Sequence, residues 1–243
     1  MHPMNNTSHL HQKPGQAFTL IELIVVVAII AILAALIIPI AGVANQHKQI
    51  ALAQTQLKYV ESAIDEYKTK LGFYPPDNSN NFAMNPLYFE LMGTTNDGAG
   101  KASGPTVYGT LDGSAWISTK NSPSIVDTFS LSGFANTSTR SRSDDQGAAA
   151  TTFLKNLTPS QIGAPNPNNP EIKTLVCSIQ WPQQQKPAPF AGPPPLNNLQ
   201  LTPIYYDSSF PTNNAGRYDL WIDLILKGKT NRICNWNPNP IIL

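Results

Sequence analysis

The feature that most constrains this chain is a long apolar run near its N-terminus. Residues 18–47 read FTLIELIVVVAIIAILAALIIPIAGVANQH, and Glu22 is their only formal charge. A run of this length and composition fits a membrane helix, or a helix covered by copies of itself in a bundle. An acid deep in a membrane helix costs about 2.5–3.5 kcal/mol on insertion scales, so a plain anchor has no reason to carry Glu22.

The residues that flank the start of this run form a recognisable motif. The leader, residues 1–17, is polar and contains no acid, and it ends at Ala17 before Phe18 and the string that continues through Glu22 to Leu23. This arrangement resembles the processing signal of type IV prepilins and of the pseudopilins of type II secretion. The resemblance implies cleavage between Ala17 and Phe18 by a prepilin peptidase, which also methylates the new amino group of Phe18.

Two other kinds of N-terminal segment can also contain an apolar run of this type. A secretory signal peptide could be cut after the small residues Gly42-Val43-Ala44, but its apolar core usually has 7–15 residues, and Leu23–Ile38 alone has sixteen. An uncleaved N-terminal anchor is the other alternative. Neither explains Glu22, for which the resemblance implies a role in filament assembly.

An amphipathic pattern follows the apolar run and predicts one helix over residues 18–71. Its apolar positions recur at steps of three and four: Ile50, Ala53, Leu57, Val60, Ile64, Tyr67 and Leu71. Gly72 and Pro75-Pro76 predict its end. Pro39 interrupts the predicted helix near the point where the apolar run gives way to the amphipathic half. The resemblance to pilins favours a point there that bends or melts on assembly.

The rest of the chain predicts a small α+β domain. The segment NPLYFELMG indicates a short helix, VYGTL, SIVDTFSL and KTLVCSIQW indicate strands, and TTFLKNLTPSQIG indicates an amphipathic helix with Phe153, Leu154 and Leu157 facing inward. The proline-rich residues 182–203 indicate a loop.

The clearest strand signal lies near the C-terminus. In YDLWIDLIL, apolar Tyr218, Leu220, Ile222 and Leu224 alternate with Asp219, Trp221 and Asp223, and NRICNW returns after a turn at Gly228. One apolar face of such a hairpin needs cover, which the stripe of the long helix can provide. We therefore predict the α+β pilin-like fold that the resemblance also implies. Its expected divisions are a leader (1–17), a transmembrane and polymerisation helix (18–44), an amphipathic helical half (45–72) and a periplasmic domain (73–243).

Composition argues against several functions. The leader holds one charged residue, Lys13, so its removal takes the 16 Lys plus Arg to 15, equal to the 15 Asp plus Glu. This balance gives no electrostatic reason to expect nucleic acid as a partner. The sequence contains no GxSxG, HExxH or Walker motif, and three of its four histidines lie in the leader, so we predict no enzyme and no cofactor.

The two cysteines, Cys177 and Cys234, leave two alternatives open. A disulfide is allowed if the domain lies outside the cytoplasm and the two strands are neighbours. Otherwise both are buried free thiols. Their spacing matches no metal pattern.

Calcium is not expected, although major pseudopilins often carry an aspartate-rich calcium loop in this region. Here the segment between Tyr218-Asp219-Leu220-Trp221 and Asn235-Trp236 holds only Asp223, whereas calcium takes 6–8 oxygen ligands. We therefore predict no metal-binding residues.

The resemblance implies a structural subunit. We first expect a pseudopilin that is anchored in the bacterial inner membrane before assembly, with its domain in the periplasm. Its expected partners are membrane lipid before assembly, copies of itself in a helical filament, minor pseudopilins, a prepilin peptidase and the inner-membrane assembly platform. The alternatives are a surface type IV pilus subunit, which serves adhesion, motility or DNA uptake, and an anchored binding module that never polymerises.

Overall fold

The computed structural model describes residues 18–96, 106–120, 123–139, 149–165, 168–180 and 201–243, without the side chains of residues 36–41 and 139. The chain divides into two compact units, Met1–Asn45 and Gln46–Leu243. The predicted leader, most of the proline-rich loop and Ala17 lie outside the described residues.

The helices and strands follow in chain order and give an α+β fold, as predicted. The helices are α1 (Leu20–Leu71), α2 (Leu87–Met92) and α3 (Ile125–Phe129), with a 3-10 turn at Pro159–Gln161. The strands are β1 (Thr94–Asn96), β2 (Val107–Thr110), β3 (Trp116–Ser118), β4 (Thr137–Thr139), β5 (Ile162–Gly163), β6 (Thr174–Cys177), β7 (Thr202–Pro203), β8 (Tyr205–Asp207), β9 (Asp219–Leu226), β10 (Lys229–Cys234) and β11 (Ile241–Ile242).

Within the described residues these strands form three sheets. Their orders are β3-β2-β1-β4, β5-β6-β7 and β11-β10-β9-β8. The third sheet contains the predicted C-terminal hairpin, in which Ile222 lies opposite Ile233 and Asp223 opposite Arg232. The β1–β4 pair is parallel, whereas the other strand pairs of the described residues are antiparallel.

The helix α1 ends where the sequence predicts. Gly72 takes φ +88, a left-handed conformation that glycine adopts without steric cost. Its N–H donates to the Lys68 carbonyl at 2.9 Å, and the Lys68 ammonium donates back to the Gly72 carbonyl at 2.7 Å. In the first unit the helix continues without a break through Pro39. Among the side chains described, no helix is at once long and apolar enough to cross a membrane.

The apolar stripe of α1 lies in the core of the second unit. Leu57, Ile64 and Tyr67 belong to the same buried cluster as strand residues such as Leu220 and Ile222. Gln56 supplies polar contacts beside this stripe, because its amide donates to the Val176 carbonyl at 2.6 Å and accepts from the Ser178 N–H at 3.0 Å.

Two local predictions were wrong. The segment SIVDTFSL forms α3 rather than a strand, because Ser124 and Asp127 make a capping box that starts a helix. The segment TTFLKNLTPSQIG is not an amphipathic helix. Instead its Phe153 N–H donates to the Leu91 carbonyl at 2.7 Å, and Asn156 takes φ +66, which a helix does not tolerate. Phe153 and Leu154 are still buried.

The face of β9 that the alternation predicts to be polar is also covered by other side chains. Asp219 and Asp223 are buried, and the Trp221 ring stacks on Tyr205 with centroids 5.0 Å apart. Asp223 is paired with Arg232, whose Nε lies 2.8 Å from Oδ1. Both faces of this strand are therefore covered.

Candidate assembly site

The N-terminal end of α1 is organised by Thr19 and Glu22. Thr19 immediately precedes the helix, and both its N–H and its hydroxyl donate to Oε2 of Glu22, at 2.9 and 2.7 Å. The Glu22 N–H lies 3.3 Å from the Thr19 hydroxyl oxygen and donates to it. This reciprocal arrangement is a capping box, which satisfies helix N–H groups that have no partner inside the helix.

The capping box leaves part of the carboxylate available. Both donors from Thr19 converge on one oxygen, Oε2. Within the described part of the chain, Oε1 of Glu22 has no hydrogen-bond donor, and the side chain is exposed. Glu22 therefore binds Thr19 through Oε2 and presents Oε1 at the exposed start of an apolar helix.

The surroundings of Glu22 are apolar and uncovered. Every residue from 18 to 35 is exposed in the described chain, and Phe18 is 82% exposed. A helix that is apolar on all sides normally lies in lipid or inside a protein bundle. The composition of residues 18–35 therefore matches that of helices that lie in lipid or among other helices.

The remaining predicted site residues are placed as follows. Ala17 lies outside the described residues, so the cleavage site is described only from Phe18 onward. Pro39 lies within α1, but its side chain is outside the described set. The roles of Phe18, Glu22 and Pro39 in assembly stay predictions.

The candidate disulfide between Cys177 and Cys234 is not formed. Both residues are buried and carry free thiols. Cys177 lies in β6 and Cys234 in β10, and these strands belong to different sheets. Burial raises the pKa of the Cys177 thiol to about 11 and also raises the pKa of Cys234, so neither thiol is activated for chemistry.

Sequence reasoning missed several buried carboxylates that organise the second unit. Glu90 is fully buried in α2. Asp77 accepts from the N–H groups of Ser208 and Ser209, each at 2.8 Å. No sequence pattern marks either residue. The capping box at Glu22 is visible in the sequence, because Thr19-Leu-Ile-Glu22 matches the Ser/Thr-x-x-Glu pattern of helix starts.

The described residues hold no group of three or more His, Cys, Asp or Glu side chains arranged to bind a metal ion.

Comparison with known proteins returns one finding. Residues 13–38 match the family model of the prokaryotic N-terminal methylation motif, the signature of type IV pilins and pseudopilins. The whole chain has no significant match among curated proteins or among solved structures. The matched range contains Ala17, Phe18, Thr19 and Glu22, so the recognised motif and the capping box are the same part of the chain.

This match supports a structural subunit of the type IV pilin-like class, which is not a family of enzymes. It implies processing by a prepilin peptidase and pilus-like assembly. It also suggests a protein that is first membrane-anchored and later associated with a filament.

Proposed function

We propose that this chain is a pseudopilin, a subunit of a type II secretion pseudopilus. In this proposal it is held in the bacterial inner membrane by residues 18–44, with residues 73–243 in the periplasm. After removal of the leader it assembles through its N-terminal helix into a short filament that drives protein export across the outer membrane. Its partners are copies of itself, minor pseudopilins and the inner-membrane assembly platform.

The observation that carries the proposal is the single charged side chain, Glu22, at the start of the otherwise uncharged first part of α1. Glu22 is a carboxylate on a helix whose other described side chains up to residue 35 are uncharged and exposed. A permanent lipid neighbour would penalise this charge, whereas a protein neighbour that brings a positive group would not. The Phe18 ammonium of an adjacent subunit is such a group once the leader has been cut.

The capping box suggests how Glu22 serves both states. Before assembly, Thr19 supplies two donors to Oε2, which lowers the cost of the unpaired carboxylate. During assembly the ammonium of a neighbouring Phe18 pairs with Oε1, and the bonds to Thr19 are kept. A buried pair of this kind need not add net stability, but loss of one partner is strongly unfavourable. Glu22 then sets the register between neighbours.

A surface type IV pilus is the second candidate, because the same helix and motif serve it equally well. A non-polymerising anchored module is disfavoured, since it gives Glu22 no partner. Deletion of the gene separates the three. A pseudopilin mutant retains its exoproteins in the periplasm, a pilus mutant secretes normally but lacks surface filaments, and an anchored module changes neither.

The deletion strain is best tested with three complementing chains: the wild type, Glu22→Ala and Glu66→Ala. Glu66 is an exposed carboxylate farther along the same helix and so serves as a matched control. We expect wild type and Glu66→Ala to restore exoprotein release and Glu22→Ala to fail. Normal secretion in the deletion strain itself would refute the pseudopilin proposal.

A further inference from the structure

The backbone of the loop between β8 and β9 is bonded to acidic side chains. Between residues 208 and 214 the loop contains one proline, Pro211, which has no N–H group. Each of the other backbone N–H groups in this range donates to a carboxylate, at 2.8–3.0 Å. The conformation of the loop therefore depends on the charge of three side chains: Asp77, Asp207 and Asp219.

Two of these carboxylates meet at the start of the loop. Ser208 and Ser209 donate their N–H groups to Oδ2 of Asp77, each at 2.8 Å. The next N–H group, that of Phe210, donates to Oδ1 of Asp207 at 2.9 Å. Because the three donors are consecutive residues of one turn, the two acceptors lie close together, and the Asp207 carboxyl is within hydrogen-bonding reach of Asp77.

The third carboxylate faces Asp207 across the strands. Asp207 lies directly opposite Asp219 in the β8–β9 pair. All three acidic residues are buried, with 2–7% of each exposed. Like charges that lie opposite each other destabilise a strand pair, and the repulsion is stronger where water is excluded. Full ionisation of this group is therefore unfavourable.

Positive side chains do not balance these carboxylates in the described part of the chain. None of the ion pairs between described residues involves any of the three. The basic residue of the loop, Arg217, pairs instead with Asp65 of α1 at 3.0 Å. Tyr206 of β8 also lies near Asp77, but its hydroxyl donates to the Pro75 carbonyl, and burial raises its pKa above the ordinary value, so it stays neutral.

A proton held between two carboxyl groups removes the repulsion within the pair. Two adjoining carboxyls ionise in separate steps, because the second ionisation places two negative charges side by side. Burial raises the pKa of Asp207 above its ordinary value of 3.8, the Phe210 N–H opposes this shift, and the neighbouring carboxylates add to it. Asp77 accepts three hydrogen bonds from the two serines, whereas Asp207 accepts that of Phe210, so the proton is better placed on Asp207.

We propose that Asp77 and Asp207 share one proton, and that this proton makes the loop at residues 208–214 a pH-sensitive switch. With the proton present, the Asp207 carboxyl donates to Asp77 and the loop stays closed around the pair. Without it, the two carboxylates repel each other and Asp219, and the turn at residues 208–210 opens. This device lies within the second unit and does not depend on filament assembly.

The direction of the response follows from the raised pKa of Asp207. The closed loop binds the proton more tightly than the open loop, in which Asp207 returns to its ordinary pKa of 3.8. The stabilisation of the closed loop is therefore complete below about pH 3.8 and is lost as pH rises through the pKa of the closed form. The loop should open more easily toward neutral and alkaline pH, which links this surface of the domain to the pH around it.

Hydrogen exchange of the full chain in detergent measures the opening of the loop. Amide protection at Ser208, Ser209 and Phe210 is followed from pH 4 to pH 8 in the presence of chelator and corrected for the intrinsic exchange rate at each pH. We expect wild-type protection to fall by roughly two- to tenfold over this range, as for the loss of one hydrogen bond. In Asp207→Asn the fall should disappear, because the Asn amide can donate to Asp77 at every pH.

Asp127→Asn is the matched control. Asp127 is also a carboxylate that accepts a backbone N–H, that of Ser124 at 3.0 Å, but it lies in α3 and is exposed. This variant should keep the wild-type pH profile at the loop.

A second measurement needs no substitution. In the wild type, the carboxyl carbon resonances of Asp77 and Asp207 should titrate together and in two steps. One of the steps should lie above pH 3.8. Two independent titrations at ordinary values would overturn the shared proton.

The other outcomes also decide the inference. If wild-type protection is constant with pH or rises toward pH 8, the pair does not act as a switch. A fall of equal size in Asp207→Asn would place the titrating group elsewhere and would overturn the proposal as well. If millimolar calcium restores wild-type protection at pH 8, the pair holds a metal ion in place of a proton. None of these results bears on the proposed filament, which is tested through Glu22.

Discussion

The Tyr67 hydroxyl donates a hydrogen bond to Oε2 of Glu90 at 2.9 Å, in the centre of the second unit. The same carboxylate accepts from the N–H groups of Ala135 and Asn136 at 2.8 and 2.9 Å. The Asn136 amide in turn donates to the Glu90 carbonyl at 2.7 Å. One buried acid therefore joins α1, α2 and the chain that leads into β4.

Glu90→Gln should destabilise the domain by about 1–3 kcal/mol at neutral pH, because the amide NH₂ replaces an acceptor and leaves a buried N–H group unpaired. Tyr59→Phe is a suitable control, since Tyr59 lies on the same helix but donates to the exposed Lys155 carbonyl. Denaturant unfolding of the full chain in detergent, followed by tryptophan fluorescence, measures both.

The stability of the wild type and the stability of Glu90→Gln should depend differently on pH. Burial raises the pKa of Glu90 above its ordinary value of 4.5. The folded protein then binds this proton more tightly than the unfolded chain does, so the associated stability is full below about pH 4.5 and is lost as pH rises through the folded pKa. Wild type should gain stability relative to Glu90→Gln as pH falls from 7 to 4.5. A difference that shrinks over this range would contradict the assignment.

Glu22→Ala should leave leader removal and the second unit intact and abolish filaments. Processing is read from the mass of the mature chain, and filaments are counted by electron microscopy. Thr19→Ser should behave as wild type because it keeps the hydroxyl that binds Glu22, whereas Thr19→Val removes that donor and should reduce assembly. Filaments of normal number from Glu22→Ala would refute the role of this carboxylate.

The long helix and the C-terminal hairpin were predictable because each combines a clear period with clear ends. The apolar and amphipathic pattern of α1 runs for 52 residues and stops at Gly72, and alternation in residues 218–226 meets a glycine turn at Gly228. The length of the first pattern alone excludes a strand.

The failures came from short segments in which tertiary contacts outweigh local pattern. Residues 151–157 show helical spacing of apolar side chains, but their backbone instead pairs with the end of α2 through Leu91. α3 has an apolar composition that suits a strand, and only the capping pair Ser124 and Asp127 marks it as a helix. Burial of Glu90 depends on three donors from distant parts of the chain, which no local pattern reports.

Both cysteines should be counted as free thiols. In the folded protein Cys177 should react slowly with iodoacetamide at pH 8, because it is buried and its pKa is raised to about 11. After unfolding without reductant, two thiols per chain should react. Recovery of a Cys177–Cys234 peptide on non-reducing mapping would show that the pair is bonded in the cell.

We expect calcium not to stabilise the domain, because residues 222–234 hold only one acid, Asp223, whereas calcium takes 6–8 oxygen ligands. Binding to the native state alone would raise stability with ligand concentration. A melting temperature that is the same in chelator and in millimolar calcium is the expected result. A reproducible fall in chelator that calcium reverses would reveal a site that these residues do not show.

The most direct test of the account is the N-terminal mass of the mature protein from its native membrane or filament. A prepilin-type subunit should begin at Phe18 and carry an N-methyl group, with Glu22 retained five residues into the mature chain. A chain that begins at Asn45 would mean that a signal peptidase removed the apolar run, and it would contradict both the filament and the role of Glu22.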